Sequence, residues 1–260
     1  MTQAIYTATS GARAYGMRLN VLTQNLSNIN TIGFKQDQAI FRTCLPHSEA
    51  STGGTLEKTG VSYIPEVLVP YDMTNPFVVF DRTQTDFSSG QLKPTGNALD
   101  LGLQGNGFFS IQTPDGIRYT RNGSFTLNEE GVLVTQNGFP VLGQGGKITI
   151  TGEEVIVDSE ANVSVDGQVV DTLNIVDFSD PQTLKKMGST FFTPADPTVS
   201  RAPADGFTIA QGSLELSNVD PIRVMSAMIE VLRGYESYQK VIKSVDEVNA
   251  KAINELGRPI

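Results

Sequence analysis

The chain opens with MTQAIYTATSGARAYGMRLNVLTQNLSNI, residues 1–29, in which apolar side chains recur at every third or fourth position. Alternating steps of three and four residues form a heptad repeat, which predicts a helix with one apolar stripe along its length. We define the N-terminal stripe by its recurring residues, which are Ile5, Ala8, Ala12, Tyr15, Leu19, Leu22, Leu26 and Ile29.

The same spacing recurs near the other end of the chain. Asp220 is a candidate helix N-cap, and Pro221 suits the first helical position, where its missing N–H group costs nothing. Gly257 and Pro259 then favour a helix end. The remaining positions of this helix carry charges such as Glu230, Arg233 and Lys240. The C-terminal stripe comprises Val224, Met228, Val231, Tyr235, Tyr238, Ile242 and Val245, and continues through Asn249, Ala252 and Leu256.

The composition of the N-terminal helix favours contact with other protein on several sides. An amphipathic helix lying on its own domain is the ordinary interpretation of such a stripe. However, Arg13 and Arg18 are the only charged residues among residues 6–28, whereas a solvated helix face usually carries pairs of opposite charge. Gly11 and Gly16 weaken an isolated helix and allow close approach of a neighbouring backbone. We therefore predict that both stripes are subunit interfaces, buried between molecules.

The middle of the chain has the pattern of an irregular all-β domain. Turn dipeptides at Asp115-Gly116, Asn122-Gly123, Glu130-Gly131 and Asn137-Gly138 separate short runs rich in β-branched and aromatic residues. Further strands are predicted over residues 147–150, 155–157, 162–165 and 169–178.

These patterns together predict an α+β fold. Long N- and C-terminal helices form a coiled-coil-like assembly domain, and an irregular all-β domain is inserted between them. The predicted segments are an N-terminal assembly helix over 1–33, an extended connector over 34–75, a β-rich domain over 76–205, and a return strand with a C-terminal assembly helix over 206–260.

Charge and composition limit the classes of partner. A formal net charge of −9 at pH 7 argues against binding nucleic acid, which needs a basic surface. No apolar run approaches the roughly 18 residues of a membrane span, so we expect no direct membrane insertion. The N-terminal residues lack the basic and apolar regions of a standard secretory signal. Cys44, the single cysteine, cannot form an internal disulfide.

Four motifs follow one another along the chain. Asn28 and Asn30 can bond nearby backbone and end the first helix, Gly33 can adopt a positive φ, and Phe34 can anchor the departing chain. The four motifs are Gln24-Asn25-Leu26-Ser27-Asn28-Ile29-Asn30-Thr31-Ile32-Gly33-Phe34-Lys35, Leu99-Asp100-Leu101-Gly102-Leu103-Gln104-Gly105-Asn106-Gly107-Phe108-Phe109, Tyr119-Thr120-Arg121-Asn122-Gly123-Ser124-Phe125 and Gly212-Ser213-Leu214-Glu215-Leu216-Ser217-Asn218-Val219-Asp220.

In this order, the motifs resemble those of bacterial flagellar rod and hook proteins, and the resemblance spans the whole chain. The residues that carry it are Asn25, Leu26, Asn28, Asn30, Gly33, Phe34, Gly105, Gly107, Phe108, Phe109, Ser217 and Asn218. Ser27 and Ile32 depart from the family pattern, in which Ala and a small or polar residue or Pro are common.

The resemblance implies a structural subunit of the flagellar basal-body rod, which assembles into a helical, torque-transmitting tube across the periplasm. Its partners would be copies of itself, other rod and hook subunits, and the flagellar export apparatus, which needs no cleavable signal peptide. Residues 138–143 and 243–247 resemble proximal-rod subunits. A distal-rod or hook subunit is the alternative within the family, although a typical hook subunit carries a larger β insertion.

The residues offer little for catalysis or for cofactor and metal binding, and we expect none. His47 is the only histidine, and Cys44-x-x-His47 has no second ligand pair. A strand is predicted after Gly105-Asn106-Gly107, where a nucleotide-binding loop would require a helix. Acidic residues such as Asp81 and Asp86 leave a β-rich glycan-acting hydrolase as an alternative of a different class, beside an adhesin module.

Overall fold

A computed structural model describes residues 2–44, 77–196 and 201–256. Within these ranges, a long helix lies near each end of the chain and short strands lie between them, as the α+β prediction requires. The helices are α1 (Thr2–Ser27) and α2 (Pro221–Leu256). The strands are β1 (Asp37–Cys44), β2 (Phe77–Thr85), β3 (Leu92–Pro94), β4 (Leu101–Gln104), β5 (Phe108–Thr113), β6 (Gly116–Thr120), β7 (Phe125–Leu127), β8 (Leu133–Thr135), β9 (Val155–Val157), β10 (Asn162–Val165), β11 (Gln168–Thr172), β12 (Ile175–Phe178), β13 (Leu184–Met187), β14 (Phe191–Pro194), β15 (Arg201–Pro203), β16 (Thr208–Gln211) and β17 (Ser213–Glu215).

The chain divides into two compact units. The first, which we call the helical unit, contains the described parts of residues 1–22, 39–83 and 226–260. The second, the β unit, contains residues 23–38 and the described parts of residues 84–225. The last turn of α1 and the first turn of α2 therefore belong to the β unit.

In the helical unit, α1 and α2 pack against each other through glycine and tyrosine. The Tyr15 and Tyr238 ring centroids are 5.6 Å apart. The Tyr238 ring lies over Gly11, and the Tyr15 ring lies over Gly234, closely enough that a Cβ at either glycine would contact the ring. Because residue numbers rise along α1 as they fall along α2 at these contacts, the two helices are antiparallel. The expected close approach holds at Gly11, whereas Gly16 has open space around its Cα.

Part of each predicted stripe is covered within one chain. In the helical unit, Ala8, Ala12 and Val231 are buried, and the other stripe residues with described burial are half-buried. The expectation that the stripes are buried only between molecules is therefore too strong, because antiparallel pairing of α1 with α2 already removes some apolar surface from water.

The end of α1 differs slightly from the predicted helix. The helix ends at Ser27, and residues 28–33 form turns, so the last stripe residue, Ile29, lies beyond it. The Asn28 side chain donates a hydrogen bond to the Gln24 carbonyl (2.9 Å) at this end, as predicted from the local bonding of asparagine.

At the start of α2, the predicted cap is confirmed. Asp220 Oδ1 accepts hydrogen bonds from the N–H groups of Ile222 (2.9 Å) and Arg223 (3.2 Å). Pro221 occupies the first helical position. Gly257 and Pro259 lie outside the described residues.

The β unit is built from small antiparallel sheets around one six-stranded sheet. That sheet has the order β13-β14-β6-β5-β12-β15, and β9, β10 and β11 form a three-stranded sheet. The late strands return to the early ones, since β16 pairs with β4 and β17 pairs with β3. Residues 208–215 are therefore part of the β unit's own sheets.

Two predicted strands differ from the structure. Residues 147–150 make only isolated bridges, such as Val132 with Thr149. The predicted strand over 169–178 is interrupted at Leu173 and Asn174, giving β11 and β12 in different sheets. The glycines at 116, 131 and 138 have positive φ, as hairpin turns require. β1 lies within the predicted connector, and residues 45–76 are not described.

Candidate functional site

The first motif ends where the chain leaves α1, within the β unit. We call the closely packed site formed there by Asn25, Gly33, Phe34 and Asn218 the junction. Asn25, on the last turn of α1, is buried and forms two hydrogen bonds with the backbone of Asp37. Its Nδ2 donates to the Asp37 carbonyl (2.7 Å), and its Oδ1 accepts from the Asp37 N–H (2.9 Å). This reciprocal pair fixes the direction of the chain as it leaves the helix.

Gly33 and Phe34 follow the turn after α1. Gly33 has φ +66°, and a Cβ there would overlap the backbone of Arg121 and Asn122, so only glycine fits this position without strain. The Phe34 side chain is fully buried, as predicted for an anchor, and Lys186 Nζ lies 4.1 Å from its ring centroid. Lys186 also pairs with Asp37 (Nζ–Oδ2 2.8 Å). Burial lowers the pKa of Lys186, whereas its hydrogen bond to Asp37 opposes that shift.

Three charged side chains that lie far apart in the sequence, Lys35, Arg121 and Glu215, meet in the structure. Lys35 Nζ donates to Glu215 Oε1 (2.7 Å) and to the Ser88 carbonyl (2.7 Å). Arg121 Nη1 lies 3.5 Å from Glu215 Oε2. Lys35 and Glu215 side chains are each 1% exposed and Arg121 is 4% exposed, so this is a buried ionic cluster. Burial lowers the pKa of Lys35 and of Arg121, and attraction to Glu215 opposes both shifts.

Asn218, from the fourth motif, connects three segments. Its Oδ1 accepts from the Gln36 N–H (2.8 Å), and its Nδ2 donates to the carbonyls of Asp86 (2.9 Å) and Ser88 (3.2 Å). Ser217 Oγ accepts from the Val219 N–H (3.3 Å), just before the α2 cap. The start of α2 is therefore tied to the same junction as the end of α1.

The second motif supports this junction from the sheet. Phe108 and Phe109 point to opposite faces of β5 and enter different hydrophobic clusters. Phe109 packs edge-on against Phe125 at 5.3 Å, and the Arg121 guanidinium lies 5.2 Å from the Phe108 ring centroid. Gly105 has φ +87°, and its carbonyl accepts from Arg121 Nη2 (2.7 Å).

Gly107 also has a conformation that favours glycine. Its φ is +120°, and a Cβ there would lie 2.7 Å from Ile175 Cγ2 and 2.9 Å from the Ala204 side chain. The glycines of this motif thus allow neighbouring backbone and side chains to approach closely.

The predicted site residues therefore fall into two groups. The motif residues Asn25, Gly33, Phe34 and Asn218 converge at one junction in the β unit. The stripe residues lie mainly in the helical unit, and those of the stripes that belong to the β unit are Leu26, Ile29 and Val224. Asn30, three residues after the end of α1, is exposed.

Sequence reasoning missed the charged members of the junction. The quoted motifs contain Lys35, Arg121 and Glu215. The presence of these charges within the motifs was the signal from which a shared site could have been predicted. Asp37 and Lys186 lie outside the motifs and had no such signal.

Asp81, Asp86 and Asp100 each have a structural partner. Asp81 is 3.7 Å from Arg42, Asp86 accepts from Gln36 and Ser88, and Asp100 accepts from Thr95 (2.7 Å). Among residues 2–44, 77–196 and 201–256, no three His, Cys, Asp or Glu side chains are grouped to hold a metal ion. His47 lies outside these ranges. In the same part of the chain, neither helix has the length and apolar content to cross a membrane.

Comparison with known protein families matches three separate parts of the chain. Residues 5–35 match the family described as flagella basal body rod protein. Residues 102–171 match the flagellar hook protein FlgE/F/G D1 domain, and residues 210–255 match the flagellar basal body rod FlgEFG protein C-terminal family.

Whole-length relatives agree with these matches. The chain is 34% identical to the flagellar basal-body rod protein FlgF of Caulobacter vibrioides, with 99% of each chain covered. It is 31% identical to the flagellar basal-body rod protein FlgG of Bacillus subtilis, with 98% of this chain and 99% of that protein covered. The flagellar hook-basal body complex protein FlhO of B. subtilis is 30% identical over 99% of this chain and 100% of its own.

These findings confirm the resemblance inferred from the four motifs, and they do not favour the hydrolase or adhesin alternative. The family is one of structural flagellar proteins and not of enzymes, and its members assemble with other flagellar subunits. The chain belongs to the flagellar basal-body rod protein family, as a structural subunit of the rod.

Proposed function

We propose that this rod subunit packs against copies of itself and other rod and hook subunits through the outer faces of α1 and α2, in a coiled-coil-like layer that forms a helical tube. The observation that carries this proposal is an exposed apolar face on α2. Ile222, Met225, Ile229 and Leu232 recur at steps of three and four residues and are all exposed. Such a face marks a contact with other protein.

This face is distinct from the predicted C-terminal stripe. The sequence pattern assigned charges to the outer surface of α2, and Glu236, one turn after Leu232, fits that assignment. Beside exposed charges such as Arg223 and Glu230, the first three turns of the helix also present apolar side chains to solvent. Tyr238 of the stripe packs against Tyr15 of α1, and the exposed apolar side chains of α2 remain available for a neighbour.

The exposed side of α1 supports the same arrangement. Tyr6 and Met17 are exposed, and the helix contains no acidic residue. Arg13 is exposed on the same side as these two residues. A surface with exposed apolar side chains and no acidic residue suits packing against the exposed apolar face of a neighbouring α2.

The junction in the β unit suits transmission of torque. Reciprocal hydrogen bonds at Asn25, the bonds of Asn218 and the buried cluster around Glu215 hold both helix ends on the same β scaffold. A load applied to the β unit then reaches the last turn of α1 and the first turn of α2, which belong to that unit.

We further propose a proximal position in the periplasm-spanning rod and transport by the flagellar export apparatus without a cleavable signal. The motif resemblance at residues 138–143 and 243–247 supports the proximal position. The relatives named FlgF and FlgG are of similar identity, so a distal position is the competing assignment. Site-specific cross-linking from exposed α2 residues in intact basal bodies would identify the neighbouring subunits.

Two matched substitutions test the assembly proposal. Ile229 is 54% exposed in the helical unit, and Val169 is 67% exposed in the β unit. We expect Ile229→Asp to fold with an unchanged unfolding temperature and to be absent from purified basal bodies of a strain lacking the native gene. Val169→Asp should be incorporated normally. Normal incorporation and motility with Ile229→Asp would show that the outer face of α2 is not an interface.

A further inference from the structure

We infer that the buried charges of Lys35, Arg121 and Glu215 control the order of folding, and we call this cluster the folding lock. The junction around Phe34 stays open until residues 208–218, the C-terminal segment, pack against the rest of the β unit. This inference concerns how one chain folds and does not depend on the proposed mode of assembly. It starts from the order of these residues along the chain. Glu215 follows Lys35 by 180 residues and is contributed by the last strand before α2.

Glu215 supplies the negative charge of the cluster. Two cations, Lys35 and Arg121, lie within 4.0 Å of its carboxylate, and it is the only described acidic group that close to either. All three side chains are almost fully buried. A chain that closed this junction before Glu215 arrived would bury two like charges without the carboxylate that contacts both, because Asp86 and Asp177 attract Lys35 and Arg121 only from beyond 4.0 Å. Burying the two charges in this way is strongly unfavourable.

The backbone of the same segment completes the junction. The Gly33 N–H donates to the Glu215 carbonyl (2.8 Å), and the Gly90 N–H donates to Glu215 Oε1 (2.8 Å). β17 pairs with β3 and β16 pairs with β4, so the C-terminal segment also adds strands to two early ones. One stretch of about ten residues therefore supplies the counter-ion, the hydrogen-bond partners and the neighbouring strands.

Two other hydrogen bonds of the junction involve no residue of the segment 208–218. The Asp37 N–H bonds to Asn25, and the Asp86 N–H bonds to the Gln36 carbonyl (2.9 Å). These two hydrogen bonds join residues of the N-terminal half only. If contacts within the N-terminal half were sufficient to close the junction, these two hydrogen bonds would form early in folding. If the lock operates, they form only when Glu215 is in place. They are therefore the reporters of the lock.

Pulse-labelling hydrogen exchange during refolding of the full wild-type chain tests the order of events. We expect the Asp37 and Asp86 amides to gain protection in the same kinetic step as Leu216, whose N–H donates to the Gln91 carbonyl (2.9 Å). The hydrogen bonds that join β5 to β6, two strands adjacent in sequence, serve as the early reference. Protection of Asp37 and Asp86 before Leu216 would overturn the inference, and this test needs no variant.

Native-state exchange of variants tests whether charge is the cause. Glu215→Gln preserves the shape of the side chain and removes its charge, and it should accelerate exchange at Asp37 and Asp86 by about a hundredfold or more. Asp115→Asn, at the exposed pair with Arg118, is the matched control and should leave both amides unchanged.

A double substitution tests whether the Glu215 charge acts by compensating the buried charge of Lys35. In a Lys35→Met background one buried cation is already absent, so Glu215→Gln should accelerate exchange by a factor at least about tenfold smaller than in the wild type. An equal acceleration in both backgrounds would mean that the Glu215 charge acts independently of Lys35, and would refute the lock.

Discussion

Tyr15 of α1 and Tyr238 of α2 pack ring against ring, and each ring also covers a glycine of the opposite helix. Gly11 precedes Tyr15 by four residues, and Gly234 precedes Tyr238 by four residues, so the two helices present the same Gly-x-x-x-Tyr pattern to each other. The antiparallel register is set by this interlock, since a shift by one turn would bring the two tyrosines of the pair over residues with a Cβ.

Substitution of alanine for the glycines of α1 should separate this packing role from helix propensity. Gly16→Ala should stabilise the helical unit by about 1 kcal/mol, because the position has open space and alanine favours a helix. Gly11→Ala should be less stable than Gly16→Ala by about 1 kcal/mol or more, because the methyl group would displace the Tyr238 ring. Thermal unfolding followed by circular dichroism measures both. Equal effects would show that the ring moves aside at no cost.

At Gly33, alanine should destabilise the β unit strongly. The positive φ and the overlap of a Cβ with the backbone of Arg121 and Asn122 combine, giving an expected loss of about 3 kcal/mol or more in the free energy of unfolding. Gly96→Ala is the matched control, because Gly96 has φ +76° and open space around it, and should cost only about 1 kcal/mol. Denaturant titration compares them. Similar losses for both variants would remove the close approach as the reason for glycine at position 33.

The stability of the β unit should depend on pH through Asp86. Partial burial raises the pKa of Asp86, but hydrogen bonds from Ser88 and Gln36 outweigh it and hold the pKa below the ordinary value of 3.8. The unfolded chain therefore takes up this proton at a higher pH than the folded chain does. The stabilisation is fully present above the unfolded pKa and is lost as pH falls through the folded pKa.

The measurement for Asp86 is the difference in unfolding free energy between wild type and Asp86→Asn. We expect this difference to be constant above about pH 5 and to shrink as the pH falls below about 4. Asp115→Asn, which alters an exposed carboxylate, controls for the general effect of acid. A difference that is independent of pH down to the acid transition would show that the Asp86 charge contributes nothing to folding.

Local patterns in the sequence were sufficient for much of this architecture. Heptad spacing predicted α1 and α2, Asp220 and Pro221 predicted the start of α2, and the turn glycines predicted most hairpins. Each of these features depends on residues a few positions apart, where periodicity and backbone preference act directly. The four motifs added the family and the anchoring role of Phe34.

The tertiary structure alone decided which distant residues meet. Lys35 pairs with Glu215 across 180 positions, and the adjacent residues Phe108 and Phe109 enter separate clusters. It also showed that the stripes pack partly on each other and that a second apolar face of α2 remains exposed. Periodicity identifies the apolar side of a helix, but its partner depends on chain-wide packing, in which burial, charge compensation and backbone approach must be satisfied together.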